Sequence, residues 1–190
     1  IGTLSDMEVA IADGTTLEVT DFWERTPLLV AILCGDIAKV AWLLERGARR
    51  DAVGRCGKPP LFYTIEGHHE AVLRWLLAEG FPPAQTDAFG TPALSFAAEA
   101  GNFVAVRILL DAGMSPNEQV GHLNALYSAA DREIARALLD SGADPNELTY
   151  EMRRALVGLV SEPSTRLLWA SPSEFESGWK PRFGVSNPEE

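Results

Sequence analysis

The chain has 190 residues, of which 46% are hydrophobic, and a formal charge of −11. That length supports one well-buried core, while the charge repels nucleic-acid phosphates and anionic lipid head groups and favours a basic partner. The longest apolar run, Leu28 to Cys34, is far below the roughly 18 to 20 residues of a membrane span, and two cysteines without CxxC or Cys/His clustering exclude a disulfide framework and a zinc site.

The first residues, Ile1 to Asp6, lack the basic and apolar stretches of a secretory signal, so a reducing cytoplasmic setting is expected. Ser5 and Glu8 then form a capping box ahead of Val9 to Ile11, and Gly14 stops this first short helical stretch. Gly14 also starts a beat, because Gly47, Gly80 and Gly113 follow at intervals of 33 residues. Each of these three closes an apolar stretch of helical spacing: Val40 to Leu44, Val72 to Leu77 and Val104 to Leu110. Glycine belongs there because it enters the left-handed conformation that ends a helix without a Cβ penalty.

Ahead of each long stretch lies a shorter one, opened in turn by Thr26-Pro27-Leu28, Pro59-Pro60-Leu61 and Pro92-Ala93-Leu94. Proline suits a first helical turn, where its missing N–H loses no bond. The joining segments, Arg49 to Lys58 and Pro82 to Gly90, are rich in turn formers and read as projecting hairpins. Two departures break the rhythm. Gly67 comes one position early, leaving His68 where the glycine between the two helices belongs, and the fourth unit has lost about three residues between Ala130 and Ile134. Beyond Asn146 the repeat fades, although Tyr150 to Val160 and Thr165 to Ala170 keep helical apolar spacing. The last twenty residues are rich in Ser, Pro, Gly and Glu.

The segments TPLLVAILCGDIAKVAWLLERGA, PPLFYTIEGHHEAVLRWLLAEGF, PALSFAAEAGNFVAVRILLDAGM and NALYSAADREIARALLDSGADPN resemble ankyrin repeats, and the likeness covers roughly residues 5–147. It implies an all-α solenoid of about four full repeats, with projecting hairpin loops and a helical C-terminal cap. The expected organisation is an N-terminal half-repeat and first hairpin over 1–25, four repeats over 26–147, a helical cap over 148–170 and an irregular tail over 171–190. Trp42 and Trp75, at matching places in successive second helices, are expected to be structural and to clamp adjacent repeats.

Nothing in the sequence assembles a catalytic set. There is no HExxH, phosphate loop or GxSxG; His68 and His69 fall in a repeat turn, where the family's histidine is a structural hydrogen-bonder, and Cys34 is expected to pack. An enzyme reading survives only in the unassigned residues 148–190. No cofactor or metal is expected. The resemblance implies instead a surface made of hairpin tips and first-helix faces. Carried over position by position, the contact residues are Phe22, Trp23 and Arg25, then Arg55, Cys56 and Lys58, then Ala88, Phe89 and Thr91, with Leu33, Glu66 and Glu99 on helices. Tyr127 and Asp131 extend the set into the fourth repeat. The expected function is a non-catalytic protein-binding module, monomeric when free. Small size and acidity sharpen this to a bacterial inhibitor or immunity-type protein covering a basic toxin such as a nuclease. The alternative is a scaffold or adaptor domain within a larger assembly.

Overall fold

A computed structural model describes residues 16–118 and 124–145, with Asp6 and Gly14. Seven α-helices lie in these residues: α1 (Pro27–Leu33), α2 (Ile37–Glu45), α3 (Pro60–Glu66), α4 (Glu70–Ala78), α5 (Ala93–Glu99), α6 (Phe103–Asp111) and α7 (Arg132–Asp140). The capping box at Ser5 and Glu8, the expected C-terminal cap over 148–170 and the tail over 171–190 lie outside the described residues.

Helices of seven and nine residues are too short to persist alone in water, so tertiary packing must hold them. Within a unit, α1 packs on α2, α3 on α4 and α5 on α6; between units, α1 meets α3, α3 meets α5, α4 meets α6 and α6 meets α7. The result is an all-α solenoid with one continuous core. Leu28, Leu29, Ile32, Leu43, Leu61, Phe62, Ile65, Leu73, Leu76, Leu94 and Leu109 are fully buried in it. Burying each such side chain stabilises by about 1.5–3 kcal/mol.

Local chemistry sets the helix ends. Thr26, Asp36, Asn102 and Asp131 cap α1, α2, α6 and α7, each accepting a backbone N–H of the first turn. At the other end Gly47, Gly80, Gly113 and Gly142 take φ of 88°, 81°, 87° and 91°, and Gly14 takes 91° in the same register. After the first of them Ala48 N–H returns to the Leu43 carbonyl, and Phe81, Met114 and Ala143 make the matching bonds to Leu76, Leu109 and Leu138. These are Schellman closures, and the returning residue is buried every time.

Polar ties stitch each unit to the next. His69 Nε2 donates to the Leu33 carbonyl at 2.9 Å, Asn102 Nδ2 to the Ile65 carbonyl at 3.1 Å, and Ala130 N–H to the Ala98 carbonyl at 3.0 Å. His69 thus has the structural role its turn implies. Gly35 makes room for it, since a Cβ there would stand 2.6 Å from His69 Nδ1. His68 takes φ 54° at the place where Gly35 and Gly101 take 74° and 67°.

Three sequence expectations need refinement. Among its described residues the fourth unit has no first helix: Asn124 to Ser128 make a single turn, closed by Ser128 N–H on the Asn124 carbonyl, and Asn124 Oδ1 accepts from Tyr127 N–H. With about three residues missing before Ile134, the chain is too short for a seven-residue helix and the turn that follows it. Cys34, expected to pack, is exposed, because it caps α1 one position beyond the buried phase that ends at Ile32 and Leu33. Trp42 is buried with the Arg46 guanidinium 3.8 Å from its ring centre, while Trp75 is half-buried against the core.

Candidate functional site

Three turns project from the stack at a spacing of 33 residues, and their backbones repeat one scheme. In the first, Asp21 N–H donates to the Arg25 carbonyl and Glu24 N–H to the Asp21 carbonyl; Gly54 with Lys58 and Gly57, and Asp87 with Thr91 and Gly90, do the same in the second and third. Asp21 and Asp87 knit their turns further. Asp21 Oδ1 accepts from the N–H groups of Trp23 and Arg25, and Asp87 Oδ1 from those of Phe89 and Thr91. Short polar side chains that fold back on their own backbone are what fix such turns.

The middle turn has glycine in this place for a reason of space. A Cβ on Gly54 would stand 2.1 Å from Tyr63 Oη, so the phenol of α3 occupies the volume where the other turns carry aspartate. Tyr63 is buried, and that burial, reinforced by the Glu66 carboxylate, pushes its hydroxyl up to about 12.

Adjacent turns are joined at their tips. Arg55 N–H donates to the Trp23 carbonyl at 3.2 Å, and Ala88 N–H to the Cys56 carbonyl at 2.9 Å. The tips therefore form one ladder, and side chains two units apart belong to one surface. On it Phe22 is 84% exposed, Trp23 50% and Phe89 72%. Phe22 and Trp23 meet edge to face at 5.4 Å, and the Arg55 guanidinium lies 5.8 Å from the Trp23 ring centre.

The expected contact residues divide by what holds them. Phe22, Trp23, Arg55 and Phe89 present their side chains at the tips, with Cys56 exposed between them. Arg25 is engaged internally: its guanidinium bonds Asp21 Oδ2 through Nε at 2.8 Å and Nη2 at 2.6 Å, and this pairing holds the Asp21 carboxyl below the usual carboxylate range. Lys58 is likewise ion-paired to Glu66, and its ammonium lies 4.9 Å from the Phe96 ring centre. Thr91 is half-buried and serves the third turn through its backbone. Leu33 is half-buried, with its carbonyl taken by His69. Glu99 is exposed at the end of α5; Tyr127 is exposed in the fourth unit, and Asp131 caps α7.

Six large apolar side chains are exposed among the described residues: Val19, Phe22, Trp23, Val53, Phe89 and Tyr127. Four of the six are expected contact residues. Val19 and Val53 were not expected, since an exposed valine in a turn segment looks like any strand former; only counting 33 back from Thr86 to Val53 places the latter beside a tip. The described residues contain no group of three His, Cys, Asp or Glu side chains able to hold a metal, and no helix long and apolar enough to cross a membrane.

Residues 66–149 match the family model for ankyrin repeats, in three copies. The helix pairs, glycine closures and projecting turns continue the same unit back to residue 26. The chain thus carries ankyrin repeats, and repeats of this family mediate binding to another protein. Curated proteins yield no match to it.

Proposed function

We propose that the chain is a non-catalytic module that grips a protein partner through its turn tips and the exposed ends of its first helices, and that it acts as an inhibitor by covering a basic partner. The observation that carries the binding surface is the tip ladder. Phe22, Trp23 and Phe89 stand exposed on turns that are bonded to one another, so ordering them on binding costs little more than side-chain entropy. Aromatics and arginine carry most of the energy at protein interfaces, and Arg55 lies over the Trp23 ring. The basic character of the partner is supported by the charge of −11, which steers encounter over long range. An immunity-type role against a basic toxin such as a nuclease fits that charge, in a monomer acting in the cytoplasm.

The test is capture of the partner by the purified chain, followed by its measured affinity for the Trp23→Ala, Arg55→Ala, Phe89→Ala triple variant. The reading predicts a loss well above about 1 kcal/mol with the fold intact, and a smaller loss removes the tips from the interface. Inhibition is tested separately: a partner fully active in the complex, or one that is neutral or acidic, contradicts it and favours a scaffold.

A further inference from the structure

Three cations stand at or beside the tips, and the fold occupies two of them. Arg25 is held by Asp21, and Lys58 by Glu66. Arg55 has no carboxylate within ion-pair distance among the described residues; its one contact there beyond the backbone is the Trp23 face at 5.8 Å, a separation that leaves its fork of N–H donors open. Trp23 meets Phe22 edge to face, and Phe89 stands on the next turn, which Ala88 N–H bonds to Cys56; Phe22 and Phe89 are the two most exposed large apolar side chains described. The tip ladder supplies a second observation. Arg55 and Ala88 each donate a backbone N–H to the preceding turn, whereas the register-equivalent N–H, that of Phe22, has no acceptor among the described residues.

We propose that this edge takes an extended segment of the partner that carries a carboxylate between apolar residues. The carboxylate pairs with the Arg55 guanidinium, for which its planar geometry is suited. The apolar neighbours lie on Phe22, Trp23 and Phe89, and a backbone carbonyl of the segment accepts from Phe22 N–H, extending the ladder by one rung. A phosphate would also suit the guanidinium, but a chain of charge −11 repels a polyanion far more than a single carboxylate. This inference rests on the reading of the tips as a protein-binding surface and names the chemistry they accept. It is compatible with a basic partner, since net charge acts on encounter while the Arg55 contact is local.

The experiment pans a displayed library of short random peptides on the intact chain and repeats the measurement on Arg55→Glu and on the Phe22→Ala, Phe89→Ala double variant, each checked for native circular dichroism. Selected peptides are expected to hold Asp or Glu flanked by aliphatic or aromatic residues. Their affinity should fall at least about tenfold on Arg55→Glu, and exchanging their acid for Lys should restore binding to that variant. Peptides that need Phe22 and Phe89 but carry no acid and ignore Arg55→Glu overturn the carboxylate assignment and leave the tips a protein-binding surface. Peptides that bind regardless of every tip substitution overturn both, and a library that yields no tip-dependent peptide overturns the assignment.

Discussion

Gly54→Ala separates space from backbone at the middle turn. Gly54 has φ −104° and ψ −159°, extended values open to any residue, so a substitution there meets no conformational penalty. Sequence logic even recommends filling the position, because Asp21 and Asp87 stand there in the neighbouring turns and brace them. The structure predicts the reverse. The new Cβ would lie 2.1 Å from Tyr63 Oη and 3.2 Å from Tyr63 Cζ, so the hydroxyl alone makes the severe overlap. Forcing a methyl into a filled site costs about 1–3 kcal/mol. Tyr63→Phe removes the obstructing atom and leaves 3.2 Å as the nearest approach, which a small ring shift relieves. Gly54→Ala should therefore lower stability by about 1–3 kcal/mol, and adding Tyr63→Phe should recover most of it. Urea unfolding of the four proteins, followed by circular dichroism, gives the coupling energy directly. A neutral Gly54→Ala, or strictly additive losses, refutes the assignment of the tyrosine as the occupant.

Further outcomes follow from the ties between units and from the shifted groups. Asn102→Ala removes both the cap on Ala105 N–H and the bond to the Ile65 carbonyl, so denaturant unfolding should show a loss of about 2–3 kcal/mol. Gly113→Ala meets nothing within 4 Å but must adopt φ 87°, so its cost of about 1–2 kcal/mol is conformational and the same loss is expected when Gly47 is replaced. Asp21 titrates below its ordinary value when folded because Arg25 bonds the carboxylate. Its contribution is therefore present above the unfolded value near about 4 and is lost as pH falls through the folded one; Asp21→Asn should reduce the acid-side slope of Tm against pH. Tyr63 shifts the other way, to about 12, so its contribution is full below the unfolded value near about 10 and declines as pH rises towards 12; Tyr63→Phe should flatten the alkaline limb.

The sequence reveals the solenoid because its signals are backbone requirements. A helix stop needs φ near 90° and so needs glycine, which makes Gly47, Gly80 and Gly113 visible without any knowledge of packing. Capping residues and first-turn prolines are equally local. The tips were legible for the same reason, since counting from the glycines places Phe22, Trp23, Arg55 and Phe89 on turns. What could not be read depends on which side chains the packed turns and helices bring together. Nothing around Lys58 announces that Glu66, on the following helix, will pair with it, or that Arg25 will be held by Asp21. Gly54 looks like a weak turn residue until Tyr63 is seen in its place. The face taken by Cys34 turns on where α1 ends, a matter of one position that apolar spacing does not resolve.

The central claim is that the exposed tip residues, held on a bonded ladder of turns, form the partner surface. The most direct measurement is the affinity of the captured partner for the Trp23→Ala, Arg55→Ala, Phe89→Ala variant beside that for a control away from the tips, Arg74→Ala, Arg107→Ala, at exposed positions of α4 and α6. The account predicts that binding falls by well over tenfold in the first and stays within about twofold in the second, with unchanged unfolding midpoints. Equal affinities for the two variants would contradict it.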